Sequence, residues 1–451
     1  MIMTRDKNFY RTFLFLFLPL MMQDVINLAV NLADNLMLGY DQATLSGATA
    51  VNMIQFILQC LVGGVGSGIS VLGSQYWGQR RIEPIKRLIA FGFLIAVGFS
   101  LVITAVCTIA PHQVIWLFTE EEPYIQEGMK YLAPLKYSYI IYAISTILIF
   151  ALNSVEAVKL SFWVSIETLI VNIGLNLWLI PLYGSYGAGL ATLAARAGSL
   201  IVVFVYIAFF DKRLQLKWKD LFTYDKVLCR DYVKVATPVV IISALWGFNN
   251  GLQTSILGHV NQYTLAANSA SSTLYSLFKA SSQSACNASG IIMAKTVGGG
   301  SMKQVKEYTK TFQVIFILIG LISACLLFVT KDFIFSIYKL SEESMRLAHQ
   351  FVLVMCVCMV GMSYQMPTTA GLIRGGGDTK FGMYNDLISI WGIVLPISAL
   401  AAFVWKWPPV AVVCCLNADQ VFKCGAAAIR CNSYKWVKKL TRDEKELTHT
   451  A

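Results

Sequence analysis

Residues 12–39 read TFLFLFLPLMMQDVINLAVNLADNLMLG. The run exceeds the roughly 20 apolar residues that a helix needs to cross a hydrocarbon core of about 30 Å. Its second half carries Asp24, Asn27, Asn31 and Asp34 at i, i+3, i+7 and i+10. At 100° per residue these four fall within a sector of about 80°. Such a stripe faces protein or water, not lipid. The run is too long for a signal peptide and no Ala-x-Ala cleavage pattern follows it, so the first span is expected to be retained.

Comparable runs follow at 48–73, 88–110, 131–152, 160–181, 187–209, 236–258, 264–293, 311–329, 347–373, 382–405 and 408–430. Each must be helical, because lipid satisfies no backbone N–H or C=O, and a barrel would show alternating segments of about ten residues. The expected fold is an all-α polytopic membrane protein with 12 transmembrane helices. Composition agrees: of 451 residues, 56% are hydrophobic and 14% charged, against roughly 45–50% and 25% in a soluble domain. A soluble enzyme, a disordered chain and a disulfide scaffold are thereby excluded.

The net charge of +11 reads as topology. Basic residues cluster in alternate connections, at Arg80, Arg81, Lys86 and Arg87, from Lys212 to Lys234, and from Lys435 to Lys445. Under the positive-inside rule this places both termini in the cytoplasm, with anionic lipid and no nucleic acid as the partner of those charges. A bacterial plasma membrane and a monomer are expected.

The long polar connection after Asp211 divides the spans six and six, and the halves echo one another. Leu18-Pro19 recurs as Thr237-Pro238, Asn31 falls on Asn250 and Gly39 on Gly258, all at an offset of 219. Asn153 to Lys159 lies over Arg374 to Lys380 at 221. The organisation expected is an N-lobe over 1–210, a cytoplasmic linker over 211–235, a C-lobe over 236–430 and a tail over 431–451. Two like lobes form pseudo-symmetric six-helix bundles, a transporter architecture.

Here the chain resembles a known family. Asn31-Leu-Ala-Asp34-Asn-Leu-Met-Leu-Gly39, then Gly68, Gln75 and Gly78 entering a basic loop, are similar to the multidrug and toxic compound extrusion (MATE) family. So are Gly187-Ala-Gly-Leu-Ala-Thr192, Arg374-Gly-Gly-Gly-Asp378-Thr-Lys380 and Arg430, Ser433, Lys435 and Trp436 near the end. The resemblance covers essentially the whole chain. It implies a V-shaped pair of bundles, alternating access, and export of small organic compounds driven by inward Na⁺ or H⁺, with no resident cofactor and no enzymatic activity.

Ionisable groups within spans are costly and mark functional sites by default. Asp34 lies five residues before Gly39, Asn176 five before Pro181 and Thr192 five after Gly187, so all three sit about 7 Å below the outer boundary at 1.5 Å per residue. Asn172 is one turn below Asn176 on the same face. One carboxylate, two amides and a hydroxyl supply oxygen ligands for a hard cation, or a proton-binding acid with hydrogen-bonding supports. The resemblance implies that Asp34, Asn172, Asn176 and Thr192 form the family's amino-terminal cation site, ligating the ion directly if it is Na⁺. Some branches of the family have a second carboxylate where this chain has Asn176.

The second lobe differs. At the offset of 219, Asp34 falls on Gln253 and Asp24 on Ser243, and the stretch around Asn249 holds no acid. Asp378 reads as a loop residue beside the glycines, so a second-lobe site built on Asn249, Gln253 and Asp378 is doubtful. Asp24, Asn27 and Asn31 are supporting candidates. Glu167 and Arg196 lie about 21 Å and about 13 Å below the outer face, and the guanidinium is long enough to reach either Glu167 or the Asp34 layer. Lys279, Asp386, Asp419 and Lys423 are further buried charges. Pro19, which removes a helical hydrogen bond, is the expected hinge.

There is no Walker A sequence, no His-Glu-x-x-His pair and no C-x-x-C pair. The leading reading is a secondary antiporter of amphipathic organic cations. A lipid-linked precursor flippase of the same wider superfamily is the alternative, with a passive channel more distant.

Overall fold

The computed structural model describes residues 3–260, 262–336 and 341–442. Among these residues the regular structure is entirely helical. The helices are α1 (Lys7–Leu38), α2 (Gln42–Gly78), α3 (Glu83–Ile109), the short α4 (Pro111–Trp116), α5 (Glu122–Leu135), α6 (Ser138–Ser154), α7 (Lys159–Tyr183) and α8 (Ser185–Phe209). They are followed by α9 (Lys226–Val260), α10 (Gln262–Gly298), α11 (Met302–Phe335), α12 (Glu342–Met366), α13 (Thr379–Asp386), α14 (Leu395–Ala399), α15 (Pro409–Asn417) and α16 (Asp419–Ser433). π-helical turns at Pro367–Ile373, Leu387–Val394 and Leu400–Val404 extend α12, α13 and α14.

Ten of these stretches are long and apolar enough to cross a membrane, and α5 with α6, bent by 53°, makes an eleventh. The twelfth is α10, 37 residues long but rich in Ser and Asn. The span expected at 131–152 as one helix is therefore a bent pair, with Pro134 in the last turn before the break. The sequence also explains individual ends. Asp41 caps α2, accepting from the Thr44 backbone N–H at 3.0 Å and from its hydroxyl at 3.1 Å. Those hydrogen bonds hold the Asp41 carboxyl below the usual carboxylate range.

α7 shows how these helices are built for lipid. Trp163, Ile170 and Leu177, spaced by seven, are exposed, while Ser161, Ser165, Asn172 and Asn176 on the opposite face are buried. A soluble helix has the reverse arrangement. Close helix approach relies on small residues. A Cβ on Gly64 of α2 would come within 2.8 Å of the Val240 Cα in α9, and one on Gly68 within 2.8 Å of the Ala236 Cβ.

The chain divides into two compact units, Met22–Ala244 with Thr441–Ala451, and Met1–Met21 with Leu245–Leu440. These bounds run differently from the lobe limits read along the sequence. The unit changes between Met21 and Met22, just beyond Pro19, and again within α9 beyond Pro238, so α1 and α9 each contribute to both. Residues 211–235 hold a 3-10 helix (Trp218–Phe222) and the start of α9. The expected tail is packed as far as described: Trp436 is buried and its indole N–H donates to the Cys431 carbonyl at 2.7 Å, while Lys438 N–H donates to the Gly376 carbonyl at 2.7 Å. Residues 443–451 of that tail lie outside the described residues.

Candidate functional site

In the unit containing most of α1 to α8, α1 presents Asp34 and α7 presents Asn172 and Asn176 one turn apart. The Asn176 amide nitrogen donates to Asp34 Oδ1 at 2.6 Å and to Asn172 Oδ1 at 3.2 Å. Both asparagines are 1% exposed. Because the carboxylate can only accept, it fixes the Asn176 amide with nitrogen toward Asp34. The Asn176 Oδ1 atom is then buried and has no hydrogen-bond partner among the described residues. A buried acceptor left open in this way is costly unless something electropositive fills it.

Thr192 of α8 donates to its own helix, at the Ala188 carbonyl 3.1 Å away, and among the described residues it makes no hydrogen bond to Asp34, Asn172 or Asn176. Among the described residues no Lys, Arg or His comes within salt-bridge distance of Asp34. Nor do the described residues include any cluster of three or more His, Cys, Asp and Glu that could hold a metal ion. The donor set at Asp34 is hard oxygen with a single formal negative charge. It matches a monovalent hard cation or a proton, and lacks the charge and the soft donors of a transition-metal site.

Of the other candidates in this unit, Asn27 and Asn31 are exposed and Asp24 is half-buried. Arg196 does not pair with Glu167 or Asp34. Its guanidinium donates to Ser138 Oγ at 2.8 Å and lies 4.9 Å from the centre of the Tyr142 ring, so α6 supplies both partners. Glu167 instead accepts from Ser199 Oγ at 2.8 Å, and that hydroxyl is also 2.7 Å from Thr168 Oγ1. Sequence reasoning did not single out Ser199 or Thr168. Their signal was present, since Thr168 lies one turn before Asn172 on α7.

In the other unit, Gln253 donates to Asn249 Oδ1 at 3.2 Å, with no acid beside them in the sequence. Asp378 is buried and serves as an ion-pair hub: Arg430 binds it through both Nε and a terminal nitrogen, and Lys438 Nζ approaches at 3.1 Å. Its carboxylate is thereby satisfied structurally. Three of the further charges assemble as a triad, with buried Lys423 Nζ 2.8 Å from Asp386, which is half-buried and not buried as expected, and 3.0 Å from buried Asp419. Asp419 and Lys423 are one helical turn apart, which the sequence shows, whereas the arrival of Asp386 from α13 depends on tertiary packing. Lys279 lies 4.7 Å from the centre of the Trp246 ring.

Helices with apolar exteriors and buried polar faces define an integral membrane protein of many spans. The chain belongs to the MatE family: the family model matches residues 19–178 and again 238–400. It is 22% identical over 401 residues to a Streptococcus pneumoniae protein described as "Probable multidrug resistance protein NorM", covering 86% of this chain and 87% of the relative. Identity is also 22% over 363 residues to Bacillus subtilis "Probable multidrug resistance protein YoeA", covering 76% of each. Among solved structures, the fold matches a Vibrio cholerae MATE transporter, VcmN, at a TM-score of 0.87 and 13% identity, covering 96% of this chain and 98% of that one. It matches the eukaryotic MATE transporter AtDTX14 at 0.83 and 15% identity, covering 98% and 99%. At such identities the structures speak to fold alone.

Proposed function

We propose that this protein is a secondary antiporter of the bacterial plasma membrane, expelling amphipathic organic cations in exchange for inward Na⁺ or H⁺. The supporting observation is the unfilled buried oxygen of Asn176 beside the Asp34 carboxylate. Asp34 supplies the charge, Asn176 and Asn172 supply neutral oxygens, and Thr192 lies on the helix packed against α7. A cation at Asp34 cancels a charge that is expensive in a membrane interior, so bound and free states favour different arrangements of α1. Pro19 gives α1 a point at which to bend. Both termini lie in the cytoplasm in this reading, and the chain moves its cargo without making or breaking covalent bonds.

The resemblance of relatives described as multidrug resistance proteins supports the substrate class. The test is efflux of ethidium from proteoliposomes holding the full chain, under an imposed Na⁺ gradient and then an imposed pH gradient. One of the two gradients is expected to drive efflux, and Asp34→Asn to abolish it while the protein still folds and inserts. Driven efflux that survives in the Asp34→Asn variant would refute the coupling assignment.

A further inference from the structure

A cation that binds at Asp34 must also leave toward the other side of the membrane, and α7 offers a path. Its polar residues Ser161, Ser165, Thr168, Asn172 and Asn176 recur at spacings of four, three, four and four, which at 100° per residue confines them to a sector of about 80°. Ser161, Ser165, Asn172 and Asn176 are all buried. Packing does not require this, since the same helix has ample apolar residues and spends Trp163, Ile170 and Leu177 on its exposed face. The polar face begins at the Asp34 cluster. It ends where Ser161 Oγ, in the first turn of α7, donates to Asn153 Oδ1 in the last turn of α6 at 2.9 Å.

Glu167 sits off this face, about 100° around the helix from Thr168, and is joined to it through Ser199, whose hydroxyl is 2.7 Å from Thr168 Oγ1. Ser199 donates to its Oε2 at 2.8 Å. Its Oε1 occupies the space beside Gly198 of α8 into which a Cβ at that position would project. The charged group nearest in sequence on α8, Arg196, is turned to Ser138 and Tyr142 of α6, and among the described residues no cation lies within salt-bridge distance of Glu167. A half-buried membrane carboxylate with hydroxyl support and no fixed counter-charge is equipped to hold a mobile one. The open Asn176 Oδ1 marks the other end of the same face as short of an electropositive partner.

We propose that the buried polar face of α7 is the exit route of the coupling cation from Asp34, and that Glu167 is its intermediate station. The inference rests on the antiport reading. The cation is Na⁺ passed between oxygens, or a proton carried through water and accepted by the Glu167 carboxylate.

The test uses the full chain in proteoliposomes with ethidium and imposed pH or Na⁺ gradients. Glu167→Gln keeps the shape and removes the charge. Gradient-driven efflux is expected to fall at least tenfold, whereas ethidium–ethidium exchange, which requires no cation release, persists. The gradient whose effect is lost identifies the ion. Driven efflux within twofold of the parent, or loss of exchange together with driven efflux in a folded protein, overturns the route. Should Glu167→Gln not fold, Ser199→Ala leaves the carboxylate without its donor, and an unchanged driven rate in that variant overturns the route equally. Absence of gradient-driven efflux in the parent would instead reject antiport itself, and loss in Asp34→Asn with none in Glu167→Gln rejects only the route.

Discussion

Asn176 donates to Asp34 from one side of its amide, while the other side, a buried carbonyl oxygen, has no partner among the described residues. The hydrogen bond and the unpaired oxygen are two ends of one rigid group. Asn176→Ala removes both, and a hydrogen bond to a charged group contributes about 1.5–3 kcal/mol. The concentration of the driving cation for half-maximal efflux is expected to rise by roughly tenfold to a hundredfold. Asn176→Asp places a second carboxylate against the first, so one proton is shared between them. Efflux in that variant should depend more steeply on pH than in the parent, read from initial rates over about pH 4–8, upward from the ordinary value of a lone carboxylate.

Lys423 is held between Asp386 and Asp419 with 3% of its surface exposed. Replacing it with Met leaves the buried Asp419 and the half-buried Asp386 without their cation, and breaking a buried pair costs about 3–5 kcal/mol. A marked fall in thermal unfolding temperature in detergent is expected. Neutralising all three as Asp386→Asn, Asp419→Asn and Lys423→Met should recover most of it, because no unpaired charge then remains.

Asp378 gathers Arg430 from α16 and Lys438 from the segment beyond it. Asp378→Ala is expected to loosen residues 434–440 and expose Lys435 and Lys438 to trypsin. Cleavage there, followed by mass spectrometry of purified protein, should be faster than in the parent while the helices stay protected.

Two adjacent glycines make an internal control. A methyl group at Gly64 meets the Val240 backbone, whereas one at Gly63 meets nothing within 4 Å. Gly64→Ala is expected to lower stability by about 1–3 kcal/mol through overpacking. Gly63→Ala should leave it unchanged or raise it by up to about 1 kcal/mol, the helix-propensity difference. The pair is compared by unfolding temperature.

Much of the architecture was legible in the chain because lipid leaves the backbone few choices. Long apolar runs around Pro19, Pro181 and Pro238 had to be helices, and the depth arithmetic put Asp34, Asn176 and Thr192 in one layer with Asn172 a turn below, of which the structure hydrogen-bonds Asn176 to Asp34 and Asn172. Less legible were features decided by distant side chains. The bend between α5 and α6 had Pro134 as its only local sign. The choice of Arg196 for Ser138 and Tyr142 over Glu167 depends on how α6 packs against α8, which spacing along α8 does not encode. The docking of Trp436 likewise needs Gly376, where any Cβ would collide with the indole.

The polarity of α10 bears on how the protein is made. Its serines are matched by neighbours, with Ser282 2.6 Å from Ser363 of α12, Ser281 2.9 Å from Ser323 of α11, and Ser271 donating to the Ala348 carbonyl at 3.3 Å. Those partners come later in the chain. During synthesis α10 therefore leaves the ribosome before the groups that make it compatible with lipid exist, and its hydropathy alone gives the translocon little reason to release it sideways. Stable integration of α10 should wait until α11 and α12 have emerged, so that a chain truncated after residue 300 leaves α10 poorly inserted while the helices before it are already in place.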